Sequence, residues 1–250
     1  MCADVKAREP IKKVPTGIEG LDKILNGGIP KGNTVLVTGT CGTGKTTLCV
    51  EYLMNGARAG ERGLFITVTE SRAKLIENIQ TYDFFDMSYV DKGEIQVIEF
   101  PELMEKLGLA GVEITNENMG VFLKGFIDLV TKNKVTRLVL DSLTGVCFQI
   151  KDRDNIRDFV FRLSKQLGEK KVTSLLVSEI SPDSNSYSTH GVEDAISDGI
   201  IVLGNIAQRG HLLRTLHVVK MRGTVHSRAK YVMDLSSYGI IIVPLLKSQA

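Results

Sequence analysis

The sequence is short of everything that would commit it to a disulfide scaffold, a zinc ribbon, a membrane span or a polyanion-binding surface. Its four cysteines, Cys2, Cys41, Cys49 and Cys147, form no Cys-x-x-Cys pair. Its four histidines, His190, His211, His217 and His226, have no cysteine neighbours. Zinc-finger spacing is therefore absent, and a few unpaired thiols fit a reducing compartment better than an oxidising one. No apolar run approaches the roughly 20 residues that a membrane helix requires. The opening MCADVKAREPIKK carries charges where a secretory signal would carry an apolar core. Net charge is only +2, so a nucleic acid or an anionic surface would have to be met by a local patch. These absences predict a soluble, cytoplasmic protein with no membrane partner.

What is there is a chain of 250 residues, 43% hydrophobic, long enough for one well-cored α/β domain. Residues 1–13 are polar and expected to be loose, with residues 14–250 forming a single domain. Apolar, β-branched runs predict strands at TVLVTG (34–39), GLFITVT (63–69), EIQVIEF (94–100), RLVLD (137–141) and VTSLLVSE (172–179). Helical spacing fills the intervals at 45–59, 71–82, 119–133 and 155–170, with Ser71 as a candidate N-cap. After Ser181 the pattern turns to strands near Ile200, at 212–220, at 230–235 and at 240–243. Alternating elements followed by a strand-rich tail predict a mostly parallel central sheet flanked by helices, with antiparallel strands at the C-terminal end. There is no internal repeat, low-complexity tract or linker.

The stretch GTCGTGKT (39–46) matches G-x-x-x-x-G-K-[ST] between a buried strand and an amphipathic helix, the context in which this pattern cradles phosphates. Gly39, Gly42 and Gly44 let the backbone curl so that N–H groups point inward at an anion. Thr40, Cys41, Gly42, Thr43, Gly44, Lys45, Thr46 and Thr47 are thus the expected nucleotide-binding residues. Lys45 brings a point charge to the β- and γ-phosphates, Thr46 a hydroxyl to Mg²⁺, and the following helix its positive end. Asp141, ending RLVLD, is the expected acid partner of the same ion. Orienting a water for hydrolysis calls for another carboxylate at the C-terminal end of a strand. Glu70 is preferred, on a strand expected beside the one that leads into the phosphate loop, and Glu179 is the alternative.

Six stretches in order, GIEGLDKILNGGIPKG, the phosphate loop, FITVTES, RLVLDS, GVEDAISDGIIVL and VVKMRGTVHS, resemble the KaiC family of RecA-like P-loop ATPases from about Pro15 to Pro244. The chain looks like a single-domain archaeal or bacterial relative of the two-domain cyanobacterial clock protein. The resemblance implies ATP and Mg²⁺ as ligands and a hexameric ring with nucleotide between neighbouring subunits. It also implies that Lys220 and Arg222 reach the γ-phosphate held by an adjacent subunit, where a guanidinium stabilises charge on the transferring phosphoryl group. Two positions depart from the family. Relatives commonly carry Glu-Glu where this chain has Thr69 and Glu70, and a threonine hydroxyl is no base near neutral pH, which implies slow hydrolysis or reliance on Glu70. The phosphorylated Ser-Thr pair of the clock protein falls at Asp194 and Ala195, which argues against clock-type autophosphorylation.

The expected function is a slowly ATP-hydrolysing ring protein that signals to or remodels a protein partner. Two alternatives are a binding module without turnover and a DNA-binding recombination or repair ATPase, as in RecA and RadA. For the second of these, the loop SPDSNSYSTHG (181–191) with Tyr187 would be the contact, although it contains no Lys or Arg. Arg209, Arg214 and Arg228 are left without an assigned surface.

Overall fold

The computed structural model describes residues 11–150, 152–181, 186–208 and 210–245. In chain order the first elements are β1 (Lys13–Val14), α1 (Leu21–Ile24), β2 (Ile29–Pro30), β3 (Thr34–Gly39), α2 (Lys45–Arg58) and β4 (Gly63–Thr67). Then come α3 (Arg72–Ile79), α4 (Met87–Asp91), β5 (Ile95–Glu99), α5 (Phe100–Lys106), α6 (Asn116–Lys132) and β6 (Arg137–Asp141). They are followed by α7 (Leu143–Cys147), α8 (Arg153–Glu169), β7 (Thr173–Glu179) and α9 (Glu193–Ile196). The chain closes on β8 (Gly199–Gln208), β9 (His211–Met221), β10 (Lys230–Ser236) and β11 (Gly239–Pro244).

Nine strands form one sheet in the order β11-β10-β9-β8-β3-β7-β6-β4-β5, and β1 and β2 pair in a small separate sheet. The block from β8 to β5 is parallel, whereas β9, β10 and β11 attach antiparallel beyond β8. The expected α/β architecture, with its antiparallel C-terminal end, is the one observed. β3 shows how side-chain alternation makes two cores from one buried strand. Val35 and Val37 join α1, α2 and α3 on one face, with Leu48, Tyr52 and Leu53 of α2. Leu36 faces the other way, into a layer built from Phe122, Phe126 and Phe159 of α6 and α8. Because every position of β3 is buried, it reads in sequence as a continuous apolar run, as strands covered on both faces do.

Local chemistry sets several boundaries. The Ser71 side chain accepts from the Lys74 N–H at 3.3 Å, so the expected cap of α3 forms. Helix α6 starts earlier than its periodicity suggests because Thr115 and Asn118 make a capping box. Three expectations are corrected. Phe100 does not end a strand but opens α5, where Pro101 occupies the first turn, a position that suits proline. β4 is not beside β3: β7 and β6, which come later in the chain, insert between them. Lys13, expected in a loose tail, pairs with Pro30, and residues 1–10 lie outside the described residues.

Candidate phosphate-binding site

The turn from Gly39 into α2 is shaped by glycine where nothing else fits. A Cβ on Gly39 would lie 2.3 Å from the carbonyl oxygen of Leu203 on neighbouring β8. Gly42 and Gly44 take φ values of 76° and 94°, the left-handed region that side chains avoid. Gly44 is the N-cap of α2 and supplies no side-chain bond, so the first N–H groups of the helix are left for an anion. The Thr43 hydroxyl donates to the Thr40 carbonyl at 2.8 Å and holds the turn from inside. Lys45 is only 6% exposed, and its ammonium donates to the carbonyls of Gly39 and Thr40, both at 2.9 Å. Cys41 is exposed, Thr46 half-buried and Thr47 buried. The loop therefore presents peptide N–H groups and a positive charge at the C-terminal end of β3, the crevice where open α/β sheets bind ligands.

The acids arrive at the same end. The Thr46 hydroxyl donates to Asp141 Oδ2 at 2.7 Å, joining the first turn of α2 to the end of β6 across a strand position. Glu179, the last residue of β7, is in register with Gly39 of β3 and is exposed. Glu70 follows β4, half-buried, and accepts from the Asn78 side chain at 3.3 Å. Burial pushes the Asp141 carboxyl above its ordinary range, and the charges of Glu70 and Glu179 push the same way. The Thr46 hydroxyl and Lys45 oppose them. The Thr46 hydroxyl and the Asp141 carboxylate are hard oxygen donors suited to a divalent cation such as Mg²⁺, with Glu70 and Glu179 as further negative charge near Asp141.

Lys220 and Arg222 are not at that end. β8 runs parallel to β3 with Gly199 opposite Val35, and β9 returns antiparallel with Met221 opposite Gly199. The KMRGT segment is thereby level with the start of β3. The Arg222 N–H donates to the Asp198 carbonyl and the Asp198 N–H to the Thr34 carbonyl, both at 2.8 Å. Five residue steps of β3, about 16 Å of strand, separate Thr34 from Gly39. A bulge between Ile200 and Ile201 turns Lys220 toward α9, where its ammonium donates to the Asp194 carbonyl at 2.8 Å. Burial, then the charge of Arg222, lowers the Lys220 pKa. The Arg222 guanidinium is 58% exposed and lies 3.4 Å from Asp198 Oδ1.

Three neighbours of the loop carry no sequence motif. Arg214, at the start of β9, donates from Nε to the Gly42 carbonyl at 3.4 Å. Met233 and Leu235 of β10 back Gly44, each within 3.2 Å of where a Cβ would stand. Only the hairpin return of β9 and β10 across β8 brings them there. Of the other arginines, Arg228 is exposed and Arg209 lies outside the described residues, as does part of the 181–191 loop (182–185). Tyr187 is 38% exposed. No helix among the described residues is long and apolar enough to cross a membrane.

A family model described as "ATPase: KaiC" matches residues 14–247. The circadian clock oscillator protein KaiC of Parathermosynechococcus lividus is 31% identical over 97% of this chain and 44% of its own length. KaiC 1 of Synechocystis sp. is 34% identical over 95% of this chain and 45% of its own. The chain thus spans less than half the length of these relatives. Among solved structures, a KaiC-like protein of Pyrococcus horikoshii OT3 superposes with a TM-score of 0.80 at 31% identity, covering 94% of this chain and 100% of that one. A family model over nearly the whole chain, relatives above 30% identity and a shared fold agree: the chain belongs to the KaiC family of ATPases.

Proposed function

We propose that residues 14–250 act as one unit that binds ATP with Mg²⁺ in the cytoplasm and hydrolyses it slowly within a ring of identical subunits. Each site would be completed by Lys220 and Arg222 of the next copy. The carrying observation is the division just described: Lys45, Thr46, Asp141 and Glu70 converge at one end of the sheet, and Lys220 and Arg222 sit at the other. A cation pair at the far end of its own sheet can serve a phosphate only on another chain, as a heterologous ring interface allows.

In this reading the loop N–H groups and Lys45 bind the triphosphate, Lys45 exchanging its bonds to Gly39 and Thr40 for phosphate oxygens. Thr46 and Asp141 hold Mg²⁺, which when bound neutralises charge on the phosphates. Glu70 accepts a proton from, and orients, the attacking water, a task that Thr69 cannot take over. Arg222 from the next copy stabilises charge that develops on the transferring group. The output is a nucleotide-dependent shape of the ring that signals to or remodels a protein partner. The test is complementation. Lys45→Ala and Arg222→Ala chains, each inactive alone, are mixed and phosphate release is followed. Random assembly puts an intact loop against an intact Arg222 at roughly a quarter of interfaces, so activity returns to about that fraction. No recovery, in mixtures shown by light scattering to co-assemble, refutes the shared site.

A further inference from the structure

Away from the phosphate loop, Cys147 meets two metal-ligating side chains more than forty residues further along the chain, His190 and Glu193. Cys147 closes α7, Glu193 opens α9, and His190 lies on the segment leading into α9. The Cys147 thiol, an imidazole nitrogen of His190 and a Glu193 carboxylate oxygen all lie within 4.8 Å of one another, the one such trio among the described residues. Cys147 and Glu193 are both fully buried, each 0% exposed. The Glu193 carboxylate accepts N–H bonds from His190 at 3.4 Å and Val192 at 3.1 Å. Among the described residues no salt bridge reaches it: the nearby cations Arg153 and Lys220 donate instead to the carbonyls of Gly191 and Asp194. Nε2 of His190 is buried with no hydrogen-bond partner, and the ring stands edge-on to Phe148 at 5.8 Å between centroids.

A buried carboxylate without a counter-charge and a buried imidazole nitrogen without a partner are two separate costs to the fold. One divalent cation removes both. We propose that Cys147, His190 and Glu193 form a three-ligand site for a borderline-soft divalent ion of the zinc class. Sulfur, nitrogen and carboxylate oxygen in one set favour such an ion over Mg²⁺ or Ca²⁺, which take oxygen donors. Ligands bound at about 2.0–2.3 Å in a tetrahedron stand roughly 3.3–3.8 Å apart, so closure from the present spacing takes about 1 Å of side-chain movement. The fourth position is open to water. An ion can enter through the cleft that His190 lines with Thr144, Phe148 and Glu179. The inference does not depend on the nucleotide reading. Its consequence is structural: the ion ties α7, two residues beyond Asp141, to the segment whose Asp194 carbonyl holds Lys220. Neither cysteine nor histidine spacing hints at it, because the ligands come from two elements separated by β7 and α8.

Cobalt(II) titrated into the full chain tests the site, since thiolate ligation gives a near-ultraviolet charge-transfer band and tetrahedral geometry gives intense visible bands. The expected result is one Co²⁺ per chain with both features, bleached by an equivalent of Zn²⁺. Cys147→Ser abolishes the near-ultraviolet band, and His190→Ala and Glu193→Gln weaken binding at least tenfold. A Cys2→Ser, Cys41→Ser double variant and Lys45→Ala keep both bands, the latter separating this site from the nucleotide site. His190 is partly exposed, so its variant keeps the test usable should the buried Cys147→Ser chain fail to fold by circular dichroism. No bands in the native chain, a near-ultraviolet band that survives in folded Cys147→Ser, or an unchanged Co²⁺ affinity in folded His190→Ala overturns the proposal.

Discussion

Glu51 sits within α2, six residues after Lys45, and its replacement by glutamine gives a sharp test of how the phosphate helix is seated. The side chain is 6% exposed, and its Oε2 accepts the Ile240 N–H at 2.8 Å, fastening α2 to β11. Burial raises its pKa from 4.5 to about 7, against the opposing pull of the Ile240 N–H and Arg58. An acid whose pKa is raised by folding holds a proton in the native state that the unfolded chain releases. Its contribution is complete below pH 4.5 and is lost as the pH climbs through about 7. At about 1.4 kcal/mol per pH unit, that interval amounts to about 3 kcal/mol. Glutamine keeps an acceptor for Ile240 but has nothing to ionise. Urea unfolding of both chains from pH 4.5 to 8 should give near-equal stabilities at the acid end. At pH 8 Glu51→Gln should be the more stable by about 2–3 kcal/mol, with unchanged m-values. Parallel pH profiles for the two chains, or a glutamine variant that is weaker at pH 8, would refute the assignment of Glu51 as a neutral buried acid.

Four further outcomes follow from the same geometry. Lys45→Ala should weaken ATP binding by about 10- to 100-fold, the worth of a charge-assisted bond, as read by calorimetry. Glu70→Gln should lower phosphate release by about 100-fold or more while sparing ATP affinity, whereas Glu179→Gln should change release far less; the reverse ranking would move the water-orienting role to β7. Gly39→Ala should cost about 1–3 kcal/mol in chemical denaturation and impair ATP binding, because the new methyl meets the Leu203 carbonyl and the loop must shift. Arg214→Ala mixed with Lys45→Ala should show no recovery of phosphate release, since both residues face the same chain's loop; recovery would place Arg214 at the interface instead.

Composition, strand content and the phosphate loop were legible because each rests on local pattern. Period-2 and period-3.6 spacing marks β3, α2, α6 and α8, and the loop's residue types follow from the anion it faces. Strand order was not legible. β3, β4, β6 and β7 are all almost wholly buried, so nothing in their residues distinguishes an inner neighbour from an outer one. Hence Glu70 was expected next to the loop strand, where Glu179 stands instead. Helices α4, α7 and α9, of four or five residues, are too short to show a period. The Glu51–Ile240 bond and the Cys147–His190–Glu193 cluster join residues 189 positions apart and across α8, contacts that only the closed fold creates.

The topology also sets Arg214 and the Lys220–Arg222 pair at opposite ends of one strand. β9 is eleven residues long, about 37 Å from end to end, and runs antiparallel to β8 along the whole sheet. Its first residues lay Arg214 over the Gly42 carbonyl of the same chain, and its last residues carry Lys220 and Arg222 to the opposite end of the strands. A parallel strand following β8 would have needed a crossover helix and would have brought KMRGT back beside the loop it follows, closing the site within one chain. The antiparallel return forbids that. It supports a reading in which each subunit holds one phosphate group and completes another, with β9, hydrogen-bonded on both sides by β8 and β10, as the rigid element between them.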